Sequence, residues 1–416
     1  MHLFDHAAAT PMRDSVRAAL AAAEPLANPA STHREGQRAL AVLEDARERL
    51  AAALGAHPTE VVFTSGGTES INLALKGAWW AAADAGAPGP IVVPVAEHHA
   101  TLDAAEWLER CGAVLRWVPV DAHAVTDAEA FAAALGGLGG TVTGGSSSAA
   151  SGAATSDAAA SGAVASVATA SVAAASGAVA SVATMLVASN EVGSLQPVAD
   201  VADAAARAGV PLHLDAVGAF GHLPLRFADT GAALMSVASH KLGGPHGVGA
   251  LVVRRDARLH ALHHGGGQQR GLRSGTQDAL GASLFALAAE EAIAELDGES
   301  ARLRGLTDRI LAAAAALPGV RLLASDQRLP GIAHLVVEGA EGESLQFLLD
   351  EAGFAVSNGS ACSAGVARES HVVRACGIEG VAPLRLSLGR TTTEADVDAL
   401  LDALPATIAR ARALAA

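Results

Sequence analysis

Short apolar runs alternate along this chain with longer stretches whose apolar residues return at helical spacing, which predicts strands carried between helices. From residue 35 to 54, Leu40, Leu43, Leu50 and Leu54 recur near a 3.6-residue period, while Arg38, Glu44, Arg47 and Glu48 fall largely off that stripe. Such a pattern reads as an amphipathic helix laid on a sheet. A shorter helix is expected over 12–23, and strands over 60–64, 91–95, 114–120, 185–188, 210–216, 233–237 and 247–253, the last closing the sheet. Thr126-Asp127-Ala128-Glu129 reads as a capping box for a helix ending near residue 138. Helices over 279–296 and 302–317 then lead into strands at 320–323, 332–337 and 384–390.

Residues 139–184 break this rhythm. They are almost wholly Gly, Ala, Ser, Thr and Val, and the ten residues at 160–169 recur letter for letter at 175–184. The uncharged run from 158 to 190 is long enough to span a bilayer, but its Ser, Thr and Gly content disfavours insertion. With no bulky side chain before Met185, the segment buries too little to offset ordering entropy, so a mobile loop is expected, with β-like packing on the body as the alternative.

Length and charge narrow the picture. At 416 residues the chain exceeds one ordinary core, so two domains are expected: a larger one over 12–260 carrying the insertion, and a smaller one made of 1–11 and 261–416. Asp and Glu number 43 against 28 Lys and Arg, a formal charge of -15 that disfavours nucleic acid. Three cysteines with no metal spacing, and a start with no signal-peptide pattern, point to a reduced cytoplasmic compartment without a membrane anchor.

The candidate chemistry gathers at strand ends. An apolar strand running into Ser239-His240-Lys241 and a Gly-Gly-Pro turn places a lysine where ligands of α/β sheets bind, and another strand delivers Asp215 to its own carboxyl end. A lysine and an acid so placed suit pyridoxal phosphate, although the two alone would as readily form a surface salt bridge. Gly66-Gly67-Thr68 turns a strand into a helix expected to start near Ser70, and offers backbone N–H groups to an anion. His98, just past another strand, could lie on a flat cofactor and move protons. The loop from His264 to Thr276 is glycine-rich and basic, suited to an anion across a subunit boundary. Cys362, among glycines and small residues, suits a thiol that travels to a substrate, whereas Cys111 and Cys376 end helices and read as packing residues. Arg385 could grip a carboxylate.

Taken in order, Phe63-Thr64-Ser65-Gly66-Gly67-Thr68-Glu69-Ser70, Ser239-His240-Lys241 and Gly359-Ser360-Ala361-Cys362 make the chain resemble the cysteine desulfurases of the NifS/IscS type, from about Asp5 to Asp398. The resemblance implies an α/β fold of pyridoxal-phosphate fold type I: a three-layer α/β/α large domain with a mostly parallel sheet and a smaller α+β C-terminal domain. It implies that Lys241 holds the cofactor, Asp215 its ring nitrogen, and that His98 stacks on the ring. Gly67, Thr68, Ser239 and His240 would hold the phosphate, with Thr276 reaching in from a partner subunit of a homodimer. Asn190 would approach the ring oxygen and the substrate, and Arg385 the carboxylate of L-cysteine. Cys362 would take the sulfur as a persulfide for an acceptor protein. Selenocysteine lyase, a class-V aminotransferase, or a weakly active scaffold for sulfur-transfer partners are the alternatives. Three positions depart from the family: Gly218 stands where a glutamine is usual, Ala238 where a phosphate-binding serine is usual with Ser239 displaced by one, and Arg368-Glu369-Ser370 where Glu-Pro-Ser is common.

Overall fold

Successive strand residues point to opposite faces of a sheet, so a buried strand carries two apolar sets, one for each layer it separates. The computed structural model describes residues 1–86, 88–136, 178–359 and 370–415, and its main sheet follows this rule. Val61, Phe63, Val92, Met235, Val237, Ala250 and Val252 face one core. Val62, Leu234, Leu251 and Val253 face away from it, as do Ile91 and Val93. Helices cover both sides. Arg34–Leu54 lies in the first layer, and Gly67–Asp84 with His99–Arg110 in the second.

The strands are β1 (His2–Leu3), β2 (Val61–Thr64), β3 (Ile91–Pro94), β4 (Leu115–Val118), β5 (Val182–Leu186), β6 (Leu212–Asp215), β7 (Leu234–Ala238), β8 (Gly249–Val253), β9 (Val320–Leu322), β10 (Ile332–Glu338), β11 (Phe354–Ala355) and β12 (Val381–Ser387). The main sheet has seven strands in the order β2-β8-β7-β6-β5-β3-β4, parallel from β7 to β4. β8 is antiparallel to both neighbours and does not close the sheet; β2 takes that edge. A three-stranded antiparallel sheet, β12-β10-β9, carries a second core with Leu335, Val337, Leu384 and Leu386. β1 pairs with β11, so the N-terminal residues join this smaller unit. Among the described residues, no helix is long and apolar enough to cross a membrane.

Several local expectations are corrected. Leu40 is 42% exposed, and the buried stripe of its helix is Ala39, Leu43, Ala46, Leu50 and Leu54, because alanine rather than leucine fills the close approach. The cap at residues 126–129 is Asp127, whose Oδ1 accepts from the amides of Glu129 and Ala130, and the helix ends at Leu135; Thr126 instead bonds Gln196. The helices expected over 279–296 and 302–317 are one helix, Ala279–Ala315. Its first turns pack in the larger core and its last turns in the smaller one, whereas a division at residue 260 would give it wholly to the smaller unit. The repeat does not stay outside the fold either. Val182-Ala183-Thr184, from its second copy, opens β5 with every residue buried. The remainder of that segment up to residue 177 lies outside the described residues.

Candidate active site

Five strands of the main sheet, β2, β3, β5, β6 and β7, bring their carboxyl ends to one cavity of about 410 Å³, which the smaller unit closes. Asp215 ends β6, and Lys241 stands in the single turn Ser239–Lys241 that follows β7. β6 and β7 are parallel neighbours with Asp215 opposite Ser236, so the acid and the lysine share one edge. Beneath them, His213 bonds Thr184 of β5 and Ser236 of β7, at 2.9 and 2.8 Å, and so pins three strands together.

Asp215 is 2% exposed and accepts the Val217 N–H at 2.9 Å. Burial pushes its carboxyl up to about 6, against the lowering effects of that N–H and of the Lys241 charge. Lys241 Nζ donates to the carbonyls of Ala7 and Ala8 at 2.5 and 3.0 Å, which brings the N-terminal segment across the site. His98 caps the helix His99–Arg110 by accepting the Ala100 N–H at its Nδ1, so the neutral ring carries its proton on Nε2. Burial first, and then Lys241, lowers its pKa to about 4.

The helix expected near Ser70 begins three residues earlier, at Gly67. Its N-cap, Gly66, has φ +152° and no side chain to cap the first turn, which leaves N–H groups for an anion. A Cβ on Gly67 would stand 2.6 Å from Val217 Cγ2, so only glycine fits that approach. Glu69 accepts the Ser65 N–H at 2.7 Å and pairs with Arg273 at 2.9 Å, tying the basic loop beside this turn. His240 also lines the cavity and stacks on His246 at 5.6 Å.

From the smaller unit comes Arg385, 3% exposed, donating to the Asn190 carbonyl at 3.0 Å and to Asp5 Oδ1 at 2.8 Å. Gly359 lines the same cavity. The structure therefore gathers Gly67, Thr68, His98, Asn190, Asp215, His240, Lys241 and Arg385. It does not gather Ser239, which is fully buried with Oγ packed against Gly244, because consecutive residues of a tight turn point in different directions. Thr276 is exposed and off the cavity wall of its own chain. Cys362 lies outside the described residues. Cys376 is buried, which pushes its thiol up to about 11, and Cys111 is exposed at a helix end.

Sequence reasoning missed Asp5, Glu97, Glu191 and His334. Glu97 is 1% exposed, accepts the Leu186 N–H, and is raised by burial to about 8. Glu191 is raised by burial to about 7 and accepts from the Ser370 hydroxyl. His334 faces Arg385 across β10 and β12, with no partner for either ring nitrogen among the described residues. For the two glutamates, the only signal was position, each beside a residue already singled out.

A sequence model of the class-V aminotransferases matches residues 2–173 and 167–400. An IscS-like cysteine desulfurase from Mycobacterium tuberculosis is 44% identical over 99% of this chain and 97% of its own. The cysteine desulfurase NifS of Azotobacter vinelandii is 32% identical over 94% and 87%. Among solved structures, a NifS-like protein superposes with a TM-score of 0.82 at 27% identity, covering 99% of this chain and all of that one. A protein described as SspA in complex with cysteine gives 0.74 at 26%, covering 94% of this chain. On sequence and fold alike, the chain belongs to the class-V aminotransferase family, among its cysteine desulfurases of the IscS and NifS type.

Proposed function

We propose that this enzyme binds pyridoxal phosphate on Lys241 and converts L-cysteine to L-alanine, passing the sulfur to Cys362 as a persulfide for an acceptor protein in iron–sulfur assembly or tRNA thiolation. The observation that carries the reading is the pairing of Lys241 and buried Asp215 at adjacent strand ends, in one cavity with Arg385. The donor set suits the cofactor. Uncapped amides at Gly67, the Thr68 hydroxyl and His240 match a phosphate; Asp215 matches a protonated ring nitrogen; the Lys241 amine matches an aldehyde.

When bound, the cofactor supplies an electron sink for negative charge at the substrate α-carbon. Asp215 keeps a proton on the ring nitrogen by its own negative charge. Arg385 fixes the substrate carboxylate, and that holds the α-carbon near Lys241 Nζ, which takes and returns the proton there. His98, neutral at physiological pH, donates from Nε2 without adding positive charge beside Lys241. The Cys362 thiolate then bonds to the substrate sulfur as the Cβ–S bond breaks, and the electron pair stays with the carbon skeleton, which gains protons to become alanine. Two copies of the chain form a homodimer in which the exposed Thr276 loop meets the partner's site.

Incubation with L-cysteine should give alanine and, with a thiol reductant, sulfide in equal amounts. Lys241→Ala should remove the borohydride-reducible cofactor adduct. Cys362→Ser should keep the adduct and lose the persulfide. A persulfide mapped to Cys111 or Cys376 would overturn the role of Cys362, and a keto acid formed without sulfide would favour an aminotransferase.

A further inference from the structure

Asp5 reaches Arg385 from behind the cavity. Its Oδ1 accepts from Nη2 at 2.8 Å, and Asp5 does not line the cavity, whereas Arg385 does. The contact is not a loose surface pair, since the Arg385 side chain is 4% exposed and that of Asp5 is 25% exposed. The backbone around Asp5 is fixed to the strand that carries the arginine. Ser387 N–H donates to the Phe4 carbonyl at 2.8 Å, His6 N–H to the Ser387 carbonyl at 3.2 Å, and Ala7 N–H to the Ser387 hydroxyl at 2.9 Å. Phe4, fully buried in the smaller core, anchors the segment from the other side. Acid and arginine thus ride on one rigid element, two residues apart in register.

A guanidinium has five N–H donors in one plane. Bonds to Asp5 and to the Asn190 carbonyl at 3.0 Å fix that plane and leave one N–H on each terminal nitrogen unused by either bond. We propose that Asp5 is a positioning residue for substrate binding: it locks Arg385 so that its remaining donors meet the α-carboxylate of the amino-acid substrate. This rests on the reading of Arg385 as the carboxylate-binding group. Without Asp5, the arginine keeps the Asn190 carbonyl as its one hydrogen-bond acceptor among the described residues, and the substrate must order a long side chain as it binds. The effect falls on binding, because Asp5 bonds Arg385 and stands off the cavity wall that Lys241 and Arg385 share.

The test uses the cofactor-loaded protein. Asp5→Ala should raise the KM for L-cysteine about tenfold, the scale of one charge-assisted hydrogen bond, and leave kcat within about threefold. Titration with L-alanine, followed by the absorbance of bound cofactor, should weaken by the same factor. Asp5→Asn keeps an acceptor oxygen in place and should restore most of the affinity. Should Asp5→Ala not fold, Asp5→Glu carries the test, because it keeps the charge, shifts it by one methylene and should raise KM. Arg385→Ala separates this inference from the reading beneath it. If that variant binds L-alanine as the native protein does, the carboxylate role of Arg385 falls and the Asp5 proposal with it. If Arg385→Ala is impaired but the Asp5 variants match native KM, or lose cofactor and kcat together, only the Asp5 proposal is overturned.

Discussion

Gly218 lines the cavity, and a Cβ built there meets nothing within 4 Å, while one on Gly67 would collide with Val217. The two glycines therefore stand for different constraints, one steric and one chemical. A glutamine at 218, the residue usual at this place in the resembling family, should fit without strain and change stability by less than about 0.5 kcal/mol. Its amide would donate to the ring oxygen of the cofactor, which favours the deprotonated Schiff base. Gly218→Gln should accordingly lower the pH of the cofactor's absorbance transition by about one unit, the scale of one charge-assisted bond. An unchanged or higher transition would show that Asn190 or a water already makes that bond or that residue 218 is not the place of the family's glutamine.

At the scale of elements, the low-complexity segment is bounded by contacts that close on each other. The Ala180 N–H donates to the Leu135 carbonyl at 3.0 Å, and Arg116 on β4 bonds the carbonyls of both Ala134 and Ala178. The two ends of 137–177 thus meet, and loop-closure entropy changes slowly with length. Replacing 137–177 by a short polar turn should leave turnover and melting temperature nearly unchanged. Extending the cut to 184 should abolish folding, because it removes the buried start of β5 and the Thr184 partner of His213. Soluble yield and thermal melting of the two deletions check this pair of outcomes.

For the whole molecule, the buried titratable groups set a pH optimum of stability. His213 and His334 are lowered by burial to about 3, and His371 to about 4, from an ordinary 6.5. The unfolded chain binds protons that these rings refuse, so stability should fall as pH drops from about 6.5 toward 4. Glu97 and Glu191 are raised by burial to about 8 and 7, so the folded chain holds protons the unfolded chain releases. Their contribution is lost as pH rises through those values. Melting temperature at constant ionic strength should peak near pH 6.5 and decline on both sides. A steady rise to pH 9 would show that the two carboxyls ionise without cost.

The sequence by itself determined the seven strands of the main sheet in chain order, because burial on a sheet imposes a short period on nearest neighbours, but not β1, β11 or the continuity of Ala279–Ala315. It also determined the glycine turn at Gly67 and the placement of Asp215 and Lys241, because a polar residue closing an apolar strand has one place to go. What crossed long distances was decided only in three dimensions. The Asp5–Arg385 pair spans 380 positions, and neither residue carries a local mark of the other. β8 looks like any edge strand until β2 pairs beyond it. Ser239 is buried and His240 lines the cavity because a tight turn gives each side chain its own direction, which composition does not encode. Gly298, in the gap between the two helices expected over 279–296 and 302–317, lies inside the single helix Ala279–Ala315, where packing in both cores offsets a propensity cost of about 1 kcal/mol. Local periodicity is written residue by residue, whereas partners are chosen by the whole chain collapsing at once.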